Sequence, residues 1–107
     1  MKIFDEEVYF NSFVRFFVLP KVYVDLIHTH TTPSVLNRTI LKSPSSPITV
    51  TNFDDGAQGQ TIRILGNGNL TVAHNSNIKT NTGANKILAA DKVYNFTLID
   101  EVWYEGA

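Results

Sequence analysis

From Ile48 onward no apolar run exceeds a few residues before Asn, Gly or Asp interrupts it. Asp55-Gly56, Gly66-Asn67-Gly68-Asn69, His74-Asn75-Ser76-Asn77 and the stretch from Asn81 to Asn85 separate short segments rich in Ile, Val and Thr. A helix needs an uninterrupted stretch of roughly 10–12 residues, whereas a strand needs only about 4–8, so the spacing admits strands and little else. Ile48 and Val50 alternate with Thr49 and Thr51; Thr61–Ile64, Leu70–Val72 and Val93–Ile99 continue the series. Val102–Glu105 can fold back across Asp100-Glu101 as a tight hairpin. Strands this short, at intervals of roughly 8–12 residues, predict an all-β chain such as a small β-sandwich. The intervals are too irregular for a true solenoid.

The first part of the chain is built differently. All four prolines (Pro20, Pro33, Pro44, Pro47) precede Ile48 and all six glycines follow it. This partition suggests two differently built parts, an N-terminal arm with a Pro-rich linker over 1–47 and a β-rich head over 48–107. Residues 4–19 fit a helical stripe of Phe10, Phe13, Val14 and Phe17 behind an Asp5 cap, and fit a strand face of Val8, Phe10, Val14, Phe16 and Val18 as well. The propensities of Phe and Val favour the extended form. After Pro20, Val22, Val24, Leu26, His28 and His30 share one face of an alternating strand, with Lys21, Tyr23, Asp25, Ile27 and Thr29 on the other. Residues 31–47 carry hydroxyls and three of the prolines, and read as an extended connector with a short strand at Leu36–Leu41.

A 107-residue chain buries a modest core, and association with other copies would add to it. Its composition, 43% hydrophobic and only 18% charged, is globular, with solubility carried by Asn, Thr and Ser. Nine basic against ten acidic residues give a net charge of -1 without a run of either sign, which argues against nucleic-acid binding. There is no cysteine, hence no disulfide and no thiolate metal site. Asp5, Glu6 and Glu7 near the start do not suit a secretory signal, and no apolar window approaches the roughly 18 residues of a membrane span. The expected setting is the cytosol, or a particle assembled from it.

Little in the sequence points to catalysis. Asp54, Asp55, Asp91, Asp100 and Glu101 are acidic, but each sits where a turn would place it. Ser76 near His74 lacks a nucleophile elbow, and the Gly66–Asn69 turn lacks the lysine and helix of a phosphate loop. Asn37-Arg38-Thr39, Asn69-Leu70-Thr71 and Asn95-Phe96-Thr97 match a glycosylation acceptor pattern, as chance permits in a chain rich in Asn and Thr. The expectation is therefore no enzyme and no catalytic residue. Two constellations suit binding. His28 and His30 at i and i+2 project to one side of a strand, where imidazoles suit a divalent metal; the ordinary reading is a pair of solvated histidines before the connector. Trp103 and Tyr104, with Tyr94 and Phe96 upstream, offer aromatic faces for a sugar, although alternation sends Trp103 and Tyr104 to opposite faces and one of them to the core.

The succession of Ile48–Phe53, the acidic-Gly turn Asp54–Gln60, Thr61–Leu65, Gly66–Asn69, the turn-rich Leu70–Thr80 and the closing pair Val93–Glu105 resembles the distal modules of phage tail-fibre, tailspike and related virion appendage proteins. The resemblance covers residues 48–105 and departs from those modules at Asp100-Glu101, where an Asp-Gly turn usually precedes the Trp. It implies an intertwined trimeric β module as the alternative to a lone small β-sandwich: a homotrimer on a virion fibre, spike or capsid decoration, put together in the host cytoplasm. Residues 1–47 would contact other virion proteins, and the head would stay structural or recognise a host surface glycan. It further implies that His28 and His30 from three copies could surround one iron ion on a threefold axis; otherwise no cofactor is expected.

Overall fold

The computed structural model describes residues 24–28 and 30–107. The alternative readings of residues 4–19 lie outside the described residues, as does the start of the strand expected from Val22. Nine strands follow one another: β1 (Val24–Leu26), β2 (Ile40–Lys42), β3 (Ile48–Val50), β4 (Thr61–Leu65), β5 (Leu70–Val72), β6 (Ile78–Lys79), β7 (Lys86–Ile87), β8 (Val93–Ile99) and β9 (Val102–Glu105). They form a six-stranded sheet in the order β1-β2-β4-β8-β9-β6 and a three-stranded sheet in the order β3-β5-β7. No helix occurs among the described residues. The fold is the all-β sandwich that the turn spacing predicts.

From β2 to β8 the chain changes sheet at every step, which the sequence reading did not anticipate. The even-numbered strands enter the larger sheet and β3, β5 and β7 the smaller. The parallel neighbours β2 and β4, and likewise β3 and β5, are therefore separated in sequence by one strand of the opposite sheet, which serves as the crossover a parallel pair requires. β2 and β4 pair in parallel with Leu41 opposite Ile64, and β3 and β5 do so with Val50 opposite Val72. Alternation then directs Ile62 and Ile64 of β4 and Leu70 and Val72 of β5 into the space between the sheets, all at 0% exposure. Phe96 and Leu98 of β8, Ile78 of β6 and Trp103 of β9 complete a single core cluster.

The composition boundary at Pro47 does not coincide with a break in packing. β2 lies between β1 and β4 in the larger sheet, and Ile27, Val35 and Leu41 belong to the core. The short strand of this region is Ile40–Lys42, while Leu36 and Asn37 form a turn. What reads as an extended connector is held through its backbone. Val35 N donates to Asp54 O at 2.8 Å, Asp54 N donates to Pro33 O at 2.9 Å, and Ser43 gives both its N–H and its hydroxyl to Leu65 O. Proline cannot donate to a ladder, yet its carbonyl still accepts: Asn67 Nδ2 donates to Pro44 O at 2.8 Å. Composition alone does not separate such a stitched segment from a free linker, because the partners lie far along the chain. The core also takes Ile27, so the face opposite the histidines is the one that turns inward here.

The closing hairpin forms as expected. Ile99 pairs with Val102 and Leu98 with Trp103, which leaves a two-residue loop. Asp100 and Glu101 both hold positive φ, 51° and 69°, the backbone of a type I′ turn. Asp100 is supported by Gln58, whose Oε1 accepts from Asp100 N at 2.8 Å and whose Nε2 donates to Asp100 Oδ1 at 3.2 Å. Glu101 is exposed and occupies the position that usually holds glycine. A non-glycine residue in the left-handed region costs about 1–2 kcal/mol, part of which glycine returns to the unfolded state as entropy. Glu101→Gly is therefore expected to stabilise the domain by about 0.5–1 kcal/mol in denaturant unfolding; an unchanged or lowered midpoint would show that the turn carries no such strain.

Candidate functional site

The aromatic pair is divided by the pleat of β9. Trp103 is 1% exposed and lies in the core, where its indole Nε1 donates to Phe53 O at 3.1 Å. Its ring meets that of Phe53 edge-on at 5.5 Å between centroids, and Phe53 in turn lies 5.7 Å from Phe96. Trp103 thus presents no face to a sugar, which corrects its assignment as a ligand-binding residue: burying the large ring and satisfying its N–H take precedence. Tyr104 is 43% exposed, beside Thr97 of β8 and Lys79 of β6, and stands there without its expected companion.

Four of the five acidic candidates occupy turns. Asp55, Asp91, Asp100 and Glu101 all have positive φ, and Asp54 forms a bridge with Ser34. No group of three or more His, Cys, Asp or Glu side chains suited to a metal occurs among the described residues. His74 does not face Ser76 as a base would: its Nδ1 accepts from Thr80 N at 3.1 Å and lies 3.3 Å from the Thr80 hydroxyl.

His28 and His30 are both exposed and line one open groove of 480 Å³. A single chain brings no third metal donor to them among the described residues, so the pair by itself does not fit a metal centre. What accompanies them is different chemistry. Buried Ile27, Pro33 and Leu41 contribute apolar surface, while Ser34, Asn37 and Arg38 supply polar groups on the far side. The far side is a tight turn in which Arg38 N donates to Val35 O at 3.0 Å and Asn37 holds φ 56°. Asparagine is among the few residues that enter this region readily. Gln60 clamps the turn from β4's side, with its Nε2 donating to both Val35 O and Arg38 O at 2.8 Å. The Ser34 hydroxyl donates to Asp55 Oδ2 at 2.6 Å, and Arg38 Nη1 donates to Leu36 O at 3.2 Å. A shallower groove of 360 Å³ continues past Arg38 toward Asp55 and Gln60.

Asn37, Arg38 and Gln60 escaped the sequence reading. Asn37-Arg38 stood out only within an acceptor pattern, although Asn after a Val-Leu pair is a legible turn signal. The reach of Gln60 over 22 residues to Arg38 leaves no local trace.

A family model described as the phage depolymerase C-terminal beta sandwich domain matches residues 25–104. The match runs from β1 to β9 and spans Pro47. No curated protein and no solved structure matches the chain.

The two aromatic neighbours are expected to separate in mutagenesis. Trp103→Ala should cost about 3–5 kcal/mol of stability and Tyr104→Ala under about 1 kcal/mol, both read by denaturant unfolding; equal losses would contradict the division of the pair between core and surface.

Proposed function

The chain belongs to the family of phage depolymerase C-terminal β-sandwich domains, and from that premise we propose that it is a structural, non-catalytic module of a phage virion appendage that works as a homotrimer. The family match carries this reading. A small sandwich with apolar residues left on its surface supports the assembly part. Leu65 and Val93 face each other across β4 and β8 at 38% and 60% exposure, and Ile87 on the smaller sheet is 63% exposed. Copies of the same chain are the natural cover for such surface in a closed symmetric assembly.

Contacts with other virion proteins fall to residues 1–47, whose described portion supplies β1, the terminal strand of the larger sheet among the described residues. A terminal strand offers unpaired backbone groups to a neighbour. A fibre, a spike and a capsid decoration all accommodate such a module. Recognition of a host surface glycan is the second reading, favoured by the groove between His28, His30 and Arg38. An iron ion would need the His28 and His30 pairs of several copies to converge, so that reading stands or falls with the trimer axis passing their groove.

Light scattering coupled to size exclusion is expected to return the mass of three chains at micromolar concentration; a folded monomer would overturn the assembly. Elemental analysis of the same peak is expected to show no stoichiometric metal. One iron per three chains, lost in a His28→Ala, His30→Ala variant, would instead assign the histidines to an axial site.

A further inference from the structure

Lys86, Asn81 and Glu105 form a polar cluster that neither assembly nor glycan recognition uses. Lys86 Nζ donates to Asn81 Oδ1 at 2.6 Å, and a C=O bond of about 1.23 Å then puts the amide carbon within about 4 Å of the amine nitrogen. The Glu105 carboxylate lies on the same nitrogen, accepting at 2.7 Å through Oε2 and at 3.0 Å through Oε1. Its side chain is 3% exposed and that of Lys86 18%, and the Tyr94 ring centre stands 5.7 Å from Nζ. Asn81 is fixed at both ends: its backbone N donates to Glu105 Oε1 at 2.9 Å, and its Nδ2 donates to Gly106 O at 3.0 Å. The loop that carries it is closed on itself, with Thr80 Oγ1 donating to Ala84 O at 2.6 Å and Gly83 N donating to Thr80 O at 3.2 Å. An amine, a carboxamide and a sheltered carboxylate that touches both are thus held together by groups that would take no part in a reaction between them.

We propose that Lys86 and Asn81 join in an intramolecular amide bond, with Glu105 as the base. The carboxylate takes a proton from Nζ, whose freed electron pair attacks Asn81 Cγ to form the Nζ–Cγ bond, and the Cγ–Nδ2 bond then breaks. Of the three protons on Nζ, two pass by way of Glu105 to Nδ2, which leaves as ammonium, and the third stays on the new amide. The balance needs no oxidant, metal or cofactor. A carboxamide is a weak electrophile, so the rate rests on position and proton transfer; a single event per chain is enough, because the product does not revert. The hydrogen bond from Nδ2 to Gly106 O turns the leaving nitrogen away from the incoming one. Closure makes a ring of residues 81–86 and leaves Glu105 to accept from the new amide N–H.

The test is mass spectrometry of the full chain, intact and after trypsin digestion of the unfolded protein. The parent is expected to weigh about 17 Da less than its sequence requires, the mass of one ammonia. It should yield residues 80–92 as a single peptide carrying that loss, because an acylated Lys86 is no longer a trypsin site. Lys86→Arg, which keeps the charge, and Glu105→Gln, which removes the base, are both expected to show the full sequence mass, with circular dichroism reporting that they fold. Should either fail to fold, Asn81→Ala serves, a change at an exposed residue that removes the reacting carbon. A parent that keeps its full mass after days of incubation in the folded state would overturn the proposal and leave the three residues as an ion-pair cluster. The same mass loss with cleavage after Lys86 intact would also overturn it, since an asparagine that closes to a succinimide loses ammonia without a lysine. Loss that persists in Lys86→Arg would have the same consequence.

Discussion

The structure depends on where the indole of Trp103 finds its partner. A buried indole N–H must donate to something, and here it reaches the Phe53 carbonyl, 50 residues earlier in the chain. That bond, with the edge-on contact between the two rings, joins the last strand of the larger sheet to the loop that leaves β3 of the smaller one. The same loop has to pass close by: a Cβ on Gly56 would lie 2.5 Å from Trp103 Cζ2, so only glycine lets the backbone cross the ring face. From this crossing the chain runs to Gln58, which supports the hairpin turn, and to Gln60, which clamps the 35–38 turn. The hairpin and the groove are thus positioned by one short loop packed on one tryptophan.

A second tie joins β7 to β9. Lys86 of β7 and Glu105 of β9 meet at 2.7 Å, with side-chain exposures of 18% and 3%. The carboxylate also accepts from Asn81 N, Lys86 Nζ donates to Asn81 Oδ1, and the ammonium sits 5.7 Å from the Tyr94 ring. A pair this sheltered holds only because its remaining hydrogen-bonding positions are filled. It connects the smaller sheet to the larger where strands of two and four residues have few ladder bonds of their own. Asparagine does comparable work elsewhere: Asn75 accepts from Asn77 N and Ile78 N while donating to Thr51 O, and Asn85 accepts from His74 N. In a chain with few charges, amides close the turns by satisfying backbone groups that such short strands leave unpaired.

These facts decide how much could be read from the residues. The strands after Pro47, their turns and the final hairpin were legible, since alternation and Asn/Gly chemistry are local. The separation of Trp103 from Tyr104 followed from the pleat, but which of them enters the core depended on the position of Phe53. The segment from Thr31 to Pro47 reads as a connector because its prolines and hydroxyls are what a free linker would also contain. Its place in the sandwich comes from Val35, Leu41 and carbonyl acceptors whose donors lie on other loops. The groove was missed for the same reason: His28 and His30 were visible as a pair, whereas Arg38 and the clamp from Gln60 join them only in three dimensions.

The central claim is that residues on both sides of Pro47 form one cooperative sandwich. Native-state hydrogen exchange tests it most directly, through the amides of Ile27, Val35 and Ser43, which donate to Lys42, Asp54 and Leu65. The account predicts that they open in the same global event as the amides of Ile64, Phe96 and Trp103, with matching free energies and denaturant dependence. Exchange of the first group near the unprotected rate, with the second group still protected, would contradict it and restore Pro47 as a boundary between a loose arm and an independent head.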